Sequence, residues 1–280
     1  MIGVIDVGGG LRDIFGSGVF DYCLAHGIKF DYCIGISAGS ANLASYLAGQ
    51  KGRNVPFYLD YCQREEYMSM EQFLRTGSYI NLDYVYRTLS NEGGEAALDY
   101  DRLVRNRAVY KIVATDANTG LPHYFDKHDM HRNDYRVICA SCCLPVVCKP
   151  YVVDGVPYFD GGLSDPVPLE KAFSDGCDKV VVILTRPKDE VRYPERDERY
   201  ADLFLKRHYP VIADGLCHRS VRYNNAVALA KRLEREGKAL IIAPDSIKGL
   251  GTLTRDKTLL MGMYKKGLRE AEKIPGFLEA

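Results

Sequence analysis

Apolar stretches of strand length alternate with stretches of helical period along most of the chain. Residues 2–7 form a short β-branched run closed by Gly8-Gly9-Gly10, and a helical pattern over 19–25 is stopped by Gly27. Residues 30–34 predict a second strand and 38–47 a second helix, with later strands at 109–115, 180–184 and 240–243. Near-continuous apolar runs belong to strands covered on both faces, and their alternation with helices implies a mainly parallel sheet. The pattern therefore predicts an α/β fold.

Other stretches read differently. Asp154-Gly155 lies between the apolar runs Tyr151-Val152-Val153 and Val156-Pro157-Tyr158-Phe159, which predicts a β-hairpin whose second arm ends at Asp160-Gly161-Gly162. The Tyr-rich middle, 56–103, is expected to be helical. Residues 186–207 are densely charged and read as a solvated loop with an exposed helix. An amphipathic pattern covers 221–236 up to Gly237, and a last helix is expected over 256–273.

Composition narrows the class. The chain has 280 residues, 46% of them apolar, and its 37 basic and 37 acidic side chains cancel. With 20 Tyr and 10 Phe it is no disordered chain, and with zero net charge it lacks the basic excess of a nucleic-acid binder. No internal repeat or Pro- or Ser-rich linker divides it, so residues 1–280 are expected to form one compact unit. No apolar segment is long enough to span a bilayer, and the first residues lack a signal-peptide pattern. The nine cysteines read as reduced thiols in a cytoplasmic protein. Cys139, Cys142, Cys143 and Cys148 have no second pair at zinc-ligand spacing, so small buried thiols are expected and no metal is.

The candidate chemistry begins at Gly35-Ile36-Ser37-Ala38-Gly39. A G-x-S-x-G between a strand and a helix is the context of a nucleophile elbow, with Gly35 and Gly39 relieving the turn and Ser37 raised toward a helix N-terminus. After the first strand, Gly8-Gly9-Gly10-Leu11-Arg12 fails as a dinucleotide fingerprint because Asp13 stands where the last Gly belongs, and it fails as a P-loop because no Gly-Lys-Ser/Thr follows. Unhindered backbone N–H groups there suit an oxyanion hole. Among the six histidines none is an obvious base. His26 ends a helix; His123, His128 and His131 read as members of a polar loop; His208 and His218 come late, where an α/β-hydrolase would place its base. Asp160 is the better candidate, provided an apolar site raises its pKa.

Read together, Gly8-Gly9-Gly10-Leu11-Arg12, then Gly35-Ile36-Ser37-Ala38-Gly39, then Asp160-Gly161-Gly162 resemble the ordered motifs of patatin-like phospholipases, over about residues 2–172. Cys142-Cys143-Leu144-Pro145 and Asp165-Pro166-Val167-Pro168 share in the likeness, which is greatest to bacterial members carrying an added C-terminal region, here 173–280. The resemblance implies a three-layer α/β/α fold and a lipid acyl hydrolase with a Ser–Asp dyad, needing no cofactor and no metal. It implies Ser37 as nucleophile, Asp160 as base, and Gly8, Gly9, Gly10 and Arg12 as the oxyanion-hole segment. The family usually has Gly where Asp13 stands, so Asp13 is expected to face solvent or to pair with Arg12.

The implied substrate is a fatty acyl ester, a phospholipid or lysophospholipid. Alternatives are a soluble carboxylesterase or thioesterase for small acyl esters, and a catalytically weak lipid- or protein-binding module. Phe57, Tyr58, Tyr61, Tyr67, Phe73 and Leu74 are candidate pocket or lid residues. Zero net charge limits membrane attachment to peripheral contact, with 186–207 or the cluster Arg219, Arg222, Lys231, Arg232 and Arg235 as the candidate surfaces.

Overall fold

A computed structural model describes residues 1–194 and 205–280. Strands β1 (Ile2–Asp6), β2 (Tyr32–Ile36), β3 (Val109–Asp116), β7 (Lys179–Ile183) and β8 (Ala239–Ile242) run parallel in the order β3-β2-β1-β7-β8. β3 also pairs antiparallel with β6 (Val156–Asp160), past the end of β2 on the same edge, β6 in turn pairs with β5 (Tyr151–Val153), and β4 (Pro122–Asp126) pairs with the other edge of β3. The β5–β6 hairpin forms where Asp154-Gly155 predicts it, with both residues at positive φ (48° and 85°) as a two-residue turn of this hand requires.

Alternate residues of each strand enter opposite cores, which makes the fold three-layered. Val4, Val181 and Ile183 pack on the face covered by α1 (Ile14–Ala25) and α2 (Ala38–Leu47), with α9 (Lys257–Glu270) lying against α1. Ile5, Val180, Val182 and Ile241 pack on the other, against Leu169 and Ala172 of α7 (Leu169–Ser174) and Tyr223, Val227, Ala230 and Leu233 of α8 (Pro210–Arg235).

Several elements differ from expectation. β2 is displaced two residues toward the C-terminus, so Gly35 and Ile36 belong to the strand and Ser37 follows it directly. Helix α1 starts at Ile14, five residues early, because its first turns contain three of the chain's small residues, Gly16, Ser17 and Gly18, packed inside the protein. The middle contains only short helices, α3 (Val55–Leu59), α4 (Met70–Thr76) and α5 (Tyr100–Arg105), with a π-turn over Tyr84–Thr88. His123 lies on β4 against Phe125 and Tyr158, not in a polar loop. Helix α8 is longer than its amphipathic half suggests. Of the charged stretch, 195–204 lies outside the described residues.

Candidate active site

The strand order doubles back at β1. The chain steps outward through β2 and β3, then returns to place β7 on the other side of β1. In open α/β sheets such a switch leaves a crevice at the carboxyl ends of the strands. Gly8 to Gly10 leave β1 at that end, and Thr185, just past β7, donates its hydroxyl to the Gly8 carbonyl at 2.6 Å.

Register brings Ser37 and Asp160 together. β2 pairs with β3 as far as Ile36 opposite Val113, and the next β3 residue, Ala114, faces Asp160 of β6. The other edge of β3 is taken by β4 over Lys111 to Thr115. Strands β2 and β6 therefore meet end to end along one edge, and the residue that leaves β2 adjoins the one that ends β6.

Ser37 adopts φ 54° and ψ −132°, a conformation costing a non-glycine residue about 1–3 kcal/mol. It is held by its neighbours. Its N–H donates to Ser141 Oγ at 2.9 Å, and Ser141, on α6 (Arg136–Ser141), donates onward to the Val113 carbonyl at 2.6 Å. The Ser37 carbonyl accepts from Ser40 Oγ at 2.6 Å. A Cβ on Gly39 would stand 2.4 Å from the Asp6 carbonyl oxygen, so this helix start can approach β1 only without a side chain.

Asp160 is fixed as tightly. Its N–H donates to the Cys143 carbonyl (2.8 Å), its carbonyl accepts from Thr115 Oγ1 (2.8 Å), and its Oδ1 accepts from the Gly162 N–H (2.8 Å). Oδ2 is buried with no partner of normal hydrogen-bond geometry. Burial raises the pKa of this carboxyl, opposed by the charge of Arg219, the Ser37 side chain and the Gly162 N–H. A raised carboxyl is a stronger proton acceptor than a free one, which is what a hydroxyl nucleophile requires.

The glycine segment bends at Gly8 (φ 68°), Gly9 (φ 148°) and Gly10 (φ 61°) before a short 3-10 turn, Gly10–Asp13. The Gly8 N–H is taken by Asp6 Oδ1 (3.2 Å) and the Leu11 N–H by the Thr252 carbonyl (2.8 Å). Among the described residues the N–H groups of Gly9 and Gly10 make no hydrogen bond. A Cβ on Gly9 would lie 2.3 Å from Thr185 Oγ1.

Asp13 corrects the expectation that it faces solvent. It is buried beneath the site beside Asp6, where Asn42 Nδ2 donates to its Oδ2 (3.0 Å) and its carbonyl (2.9 Å). Burial raises both carboxyls, Asp6 to about 6, and Asp6's charge raises Asp13 further while Arg12 opposes it. Asp13 thus carries the proton of the pair and donates to Asp6, so that near neutral pH the two carboxyls together hold a single negative charge. Arg12 is buried, with Nη1 donating to Thr252 Oγ1 at 3.1 Å.

Ser37 borders two spaces. One is apolar, walled by Phe57, Tyr58, Tyr67, Met68, Leu82 and Tyr86 among others. Of the other aromatic and aliphatic candidates, Tyr61 is buried elsewhere, while Phe73 and Leu74 are exposed on α4. The second is polar and is lined by Asp160, the glycine turn and Arg219 among others. Neither His208 nor His218 borders either space among the described residues. Cys139, Cys142, Cys143 and Cys148 are buried thiols, Cys143 donating to the Lys149 carbonyl at 2.8 Å. Among the described residues no group of three His, Cys, Asp or Glu side chains is placed to hold a metal.

The cationic cluster of α8 also differs from expectation. Arg219 turns to the polar space, Arg222 donates to the Leu163 carbonyl (3.0 Å), and Lys231 pairs with Asp189 (2.8 Å). Those three do not form a membrane-facing patch. Ser141, Thr185, Asn42 and Arg219 are parts of the site that sequence reasoning missed. None has a diagnostic spacing, although Ser141 directly precedes Cys142-Cys143-Leu144-Pro145.

Residues 7–173 match the family model described as patatin-like phospholipase, and residues 209–275 match a domain of unknown function, DUF6363. The chain is 30% identical over 196 residues to YjjU of Escherichia coli (strain K12), described as an uncharacterized protein, covering 69% of this chain and 54% of that one. It therefore spans about half the length of that relative. VipD from Legionella pneumophila, known from a crystal structure, aligns over 97% of this chain and 66% of its own at 14% identity and a TM-score of 0.48.

Proposed function

From the premise that this chain belongs to the patatin-like phospholipase family, we propose that it is a serine-dependent lipid acyl hydrolase working through Ser37 and Asp160. The observation that carries this reading is the end-to-end meeting of β2 and β6 on β3, which sets a strained, buried serine beside a buried carboxylate of raised pKa. Asp160 takes the Ser37 proton as Oγ attacks the acyl carbonyl. The N–H groups of Gly9 and Gly10 stabilise the oxyanion, aided by the N-terminal dipole of α2. Arg12 braces that turn through Thr252. Collapse of the tetrahedral intermediate expels the alcohol, which takes the proton from Asp160. Water, deprotonated by the same carboxylate, attacks the acyl-enzyme, and Ser37 Oγ leaves with that proton as the fatty acid is released.

The apolar lining of the space beside Ser37 suits the hydrocarbon part of an acyl group. Gly161 and Gly162 keep the Asp160 turn narrow, and Gly35 and Gly39 do the same for Ser37. In this reading residues 1–280 act as one unit, with 2–172 carrying the dyad and 173–280 a C-terminal extension that adds β7, β8 and α8. The chemistry uses no cofactor. In this reading any membrane contact is peripheral. Among the described residues no helix is long and apolar enough to cross a membrane.

The test is fatty acid release from acyl esters of graded chain length by wild type, Ser37→Ala and Asp160→Asn. Turnover that rises with chain length and is lost in both variants, with folding retained, is the expected result. Equal turnover in Ser37→Ala would remove the assignment.

A further inference from the structure

Helix α4 is built inside out. A surface helix ordinarily buries its apolar stripe and turns its polar one to water. Of the residues Met70–Thr76 the one buried is Gln72, while Met70, Leu74 and Phe73 are 62%, 79% and 38% exposed. Their i, i+3, i+4 spacing sets those three on one side of the helix. Its ends are well formed. Ser69 Oγ accepts the Gln72 N–H (3.1 Å) as a cap, and Gly77 closes the helix at φ 78°. A contiguous apolar face kept outward on a capped helix marks a surface for contact.

The helix is the tip of a strap, residues 67–81, whose arms wall the apolar space beside Ser37. Met68 and Ile80 form an antiparallel bridge, the Ser69 N–H donates to the Tyr79 carbonyl (3.2 Å), and the Asn81 N–H donates to the Tyr67 carbonyl (2.8 Å). Tyr67, Met68 and Ile80 of those arms line the space. Its free volume is about 60 Å³, room for a few water molecules and too little for a fatty acyl chain. The strap is tied down by the Tyr79 N–H on the Val147 carbonyl (2.7 Å) and the Lys149 N–H on Ser78 Oγ (3.1 Å), neither of them a bond of the central sheet. An acyl chain enters this space only if the strap lifts.

Size and charge say what covers α4. Three side chains fall well short of the ~800 Å² per partner of a stable protein interface. A lipid surface asks only for apolar side chains that dip into its acyl boundary. Glu71 and Arg75 of the helix cancel, so α4 itself does not select an anionic surface. Building on the acyl hydrolase reading, we propose that α4 docks on a zwitterionic lipid surface through Met70, Phe73 and Leu74, and that docking lifts the 67–81 strap so that an acyl chain passes from the lipid to Ser37. Lifting uncovers Met68 and Ile80, which is unfavourable in water and not against hydrocarbon. The lipid surface therefore favours the open strap.

The chain contains no Trp, so Leu74→Trp reports from α4 alone. In a Ser37→Ala background, which keeps vesicles intact, its emission should shift to the blue on adding phosphatidylcholine vesicles and be quenched by brominated acyl chains. Leu121→Trp, at an exposed position between β3 and β4, should do neither. No response from α4, or equal responses at both positions, overturns the docking. A blue shift that follows protein concentration without lipid would make a second copy the occupant and overturn the lipid assignment. The strap is read by the rate on one acyl ester above its micelle concentration relative to the rate below it. That ratio should be about tenfold or more in wild type and fall about tenfold in Phe73→Ser/Leu74→Ser. A ratio those substitutions leave unchanged overturns the link between docking and opening. Insertion of α4 without Ser37-dependent turnover of either form of the ester would support the docking and fault the hydrolase reading. Ser37-dependent turnover of vesicle lipid without insertion would do the reverse.

Discussion

Replacing Asp13 with Asn should stabilise the protein, and by an amount that grows with pH. The substitution preserves the shape of the buried pair. Its Nδ2 can donate to Asp6 as the protonated carboxyl does, and its Oδ1 can accept from Asn42. What it removes is a titration. In the folded protein burial holds protons on Asp6 and Asp13 at pH values where both are ionised in the unfolded chain, whose ordinary value is 3.8. The native state therefore binds more protons, and the stability they contribute is complete below 3.8 and lost as pH rises through the folded values. A carboxyl raised from 3.8 to about 6, as Asp6 is, corresponds to ~3 kcal/mol. Asp13 is raised by the same burial and further by the charge of Asp6, so its contribution is lost in the same direction. After structural relaxation and residual denatured-state structure are allowed for, the expected gain for Asp13→Asn is about 1 to 3 kcal/mol near neutral pH, falling to about zero near pH 4. Asp160 and Asp165 are also raised by burial, but they titrate in both proteins and drop out of the difference. Urea denaturation of the two proteins across that pH range measures it. A gain independent of pH, or a loss at neutral pH, would refute a shared-proton pair.

Ser141→Ala should leave the buried Ser37 N–H without its acceptor and remove a donor from the Val113 carbonyl, destabilising by about 1–3 kcal/mol by denaturant titration. It should also lower kcat, since the strained Ser37 backbone loses its tether. Gly9→Ala places a Cβ against Thr185 and demands φ 148° of an alanine, so acyl ester turnover should fall about a hundredfold or more while circular dichroism stays native. The pH–rate profile should rise as Asp160 loses its proton, with an acid limb above the ordinary carboxylate range. Because the charge of Arg219 lowers that pKa, Arg219→Gln should move the limb to higher pH.

Local signals carried much of this account and tertiary register carried the rest. The α/β class was legible because the strands at 2–6, 109–116, 179–183 and 239–242 are covered on both faces over most of their length and so are largely apolar. The hairpin at Asp154-Gly155 was legible because its turn needs positive φ at both residues. Strand β4 was not, because Pro122-His123-Tyr124-Phe125-Asp126 pairs on one edge only and keeps a mixed face. The middle, 56–103, misled because its Tyr and Leu spacing serves the walls of the apolar space and not a helix face. Ser37, Asp160 and the glycines announced themselves through backbone demands that few residues satisfy. Ser141 and Arg219 did not, because their importance depends on β2 and β6 meeting on β3 and on α8 crossing that junction. The meaning of Asp13 needed the burial of Asp6, seven positions earlier on another element.

The central claim is that Ser37 is the nucleophile and Asp160 its base. Its most direct test is reaction with a fluorophosphonate followed by peptide mass mapping, in wild type, Ser37→Ala and Asp160→Asn. The account predicts one adduct, on Ser37, formed rapidly in wild type, absent in Ser37→Ala and strongly slowed in Asp160→Asn. An adduct on any other residue, or labelling of Ser37 at the same rate without the Asp160 carboxylate, would contradict it.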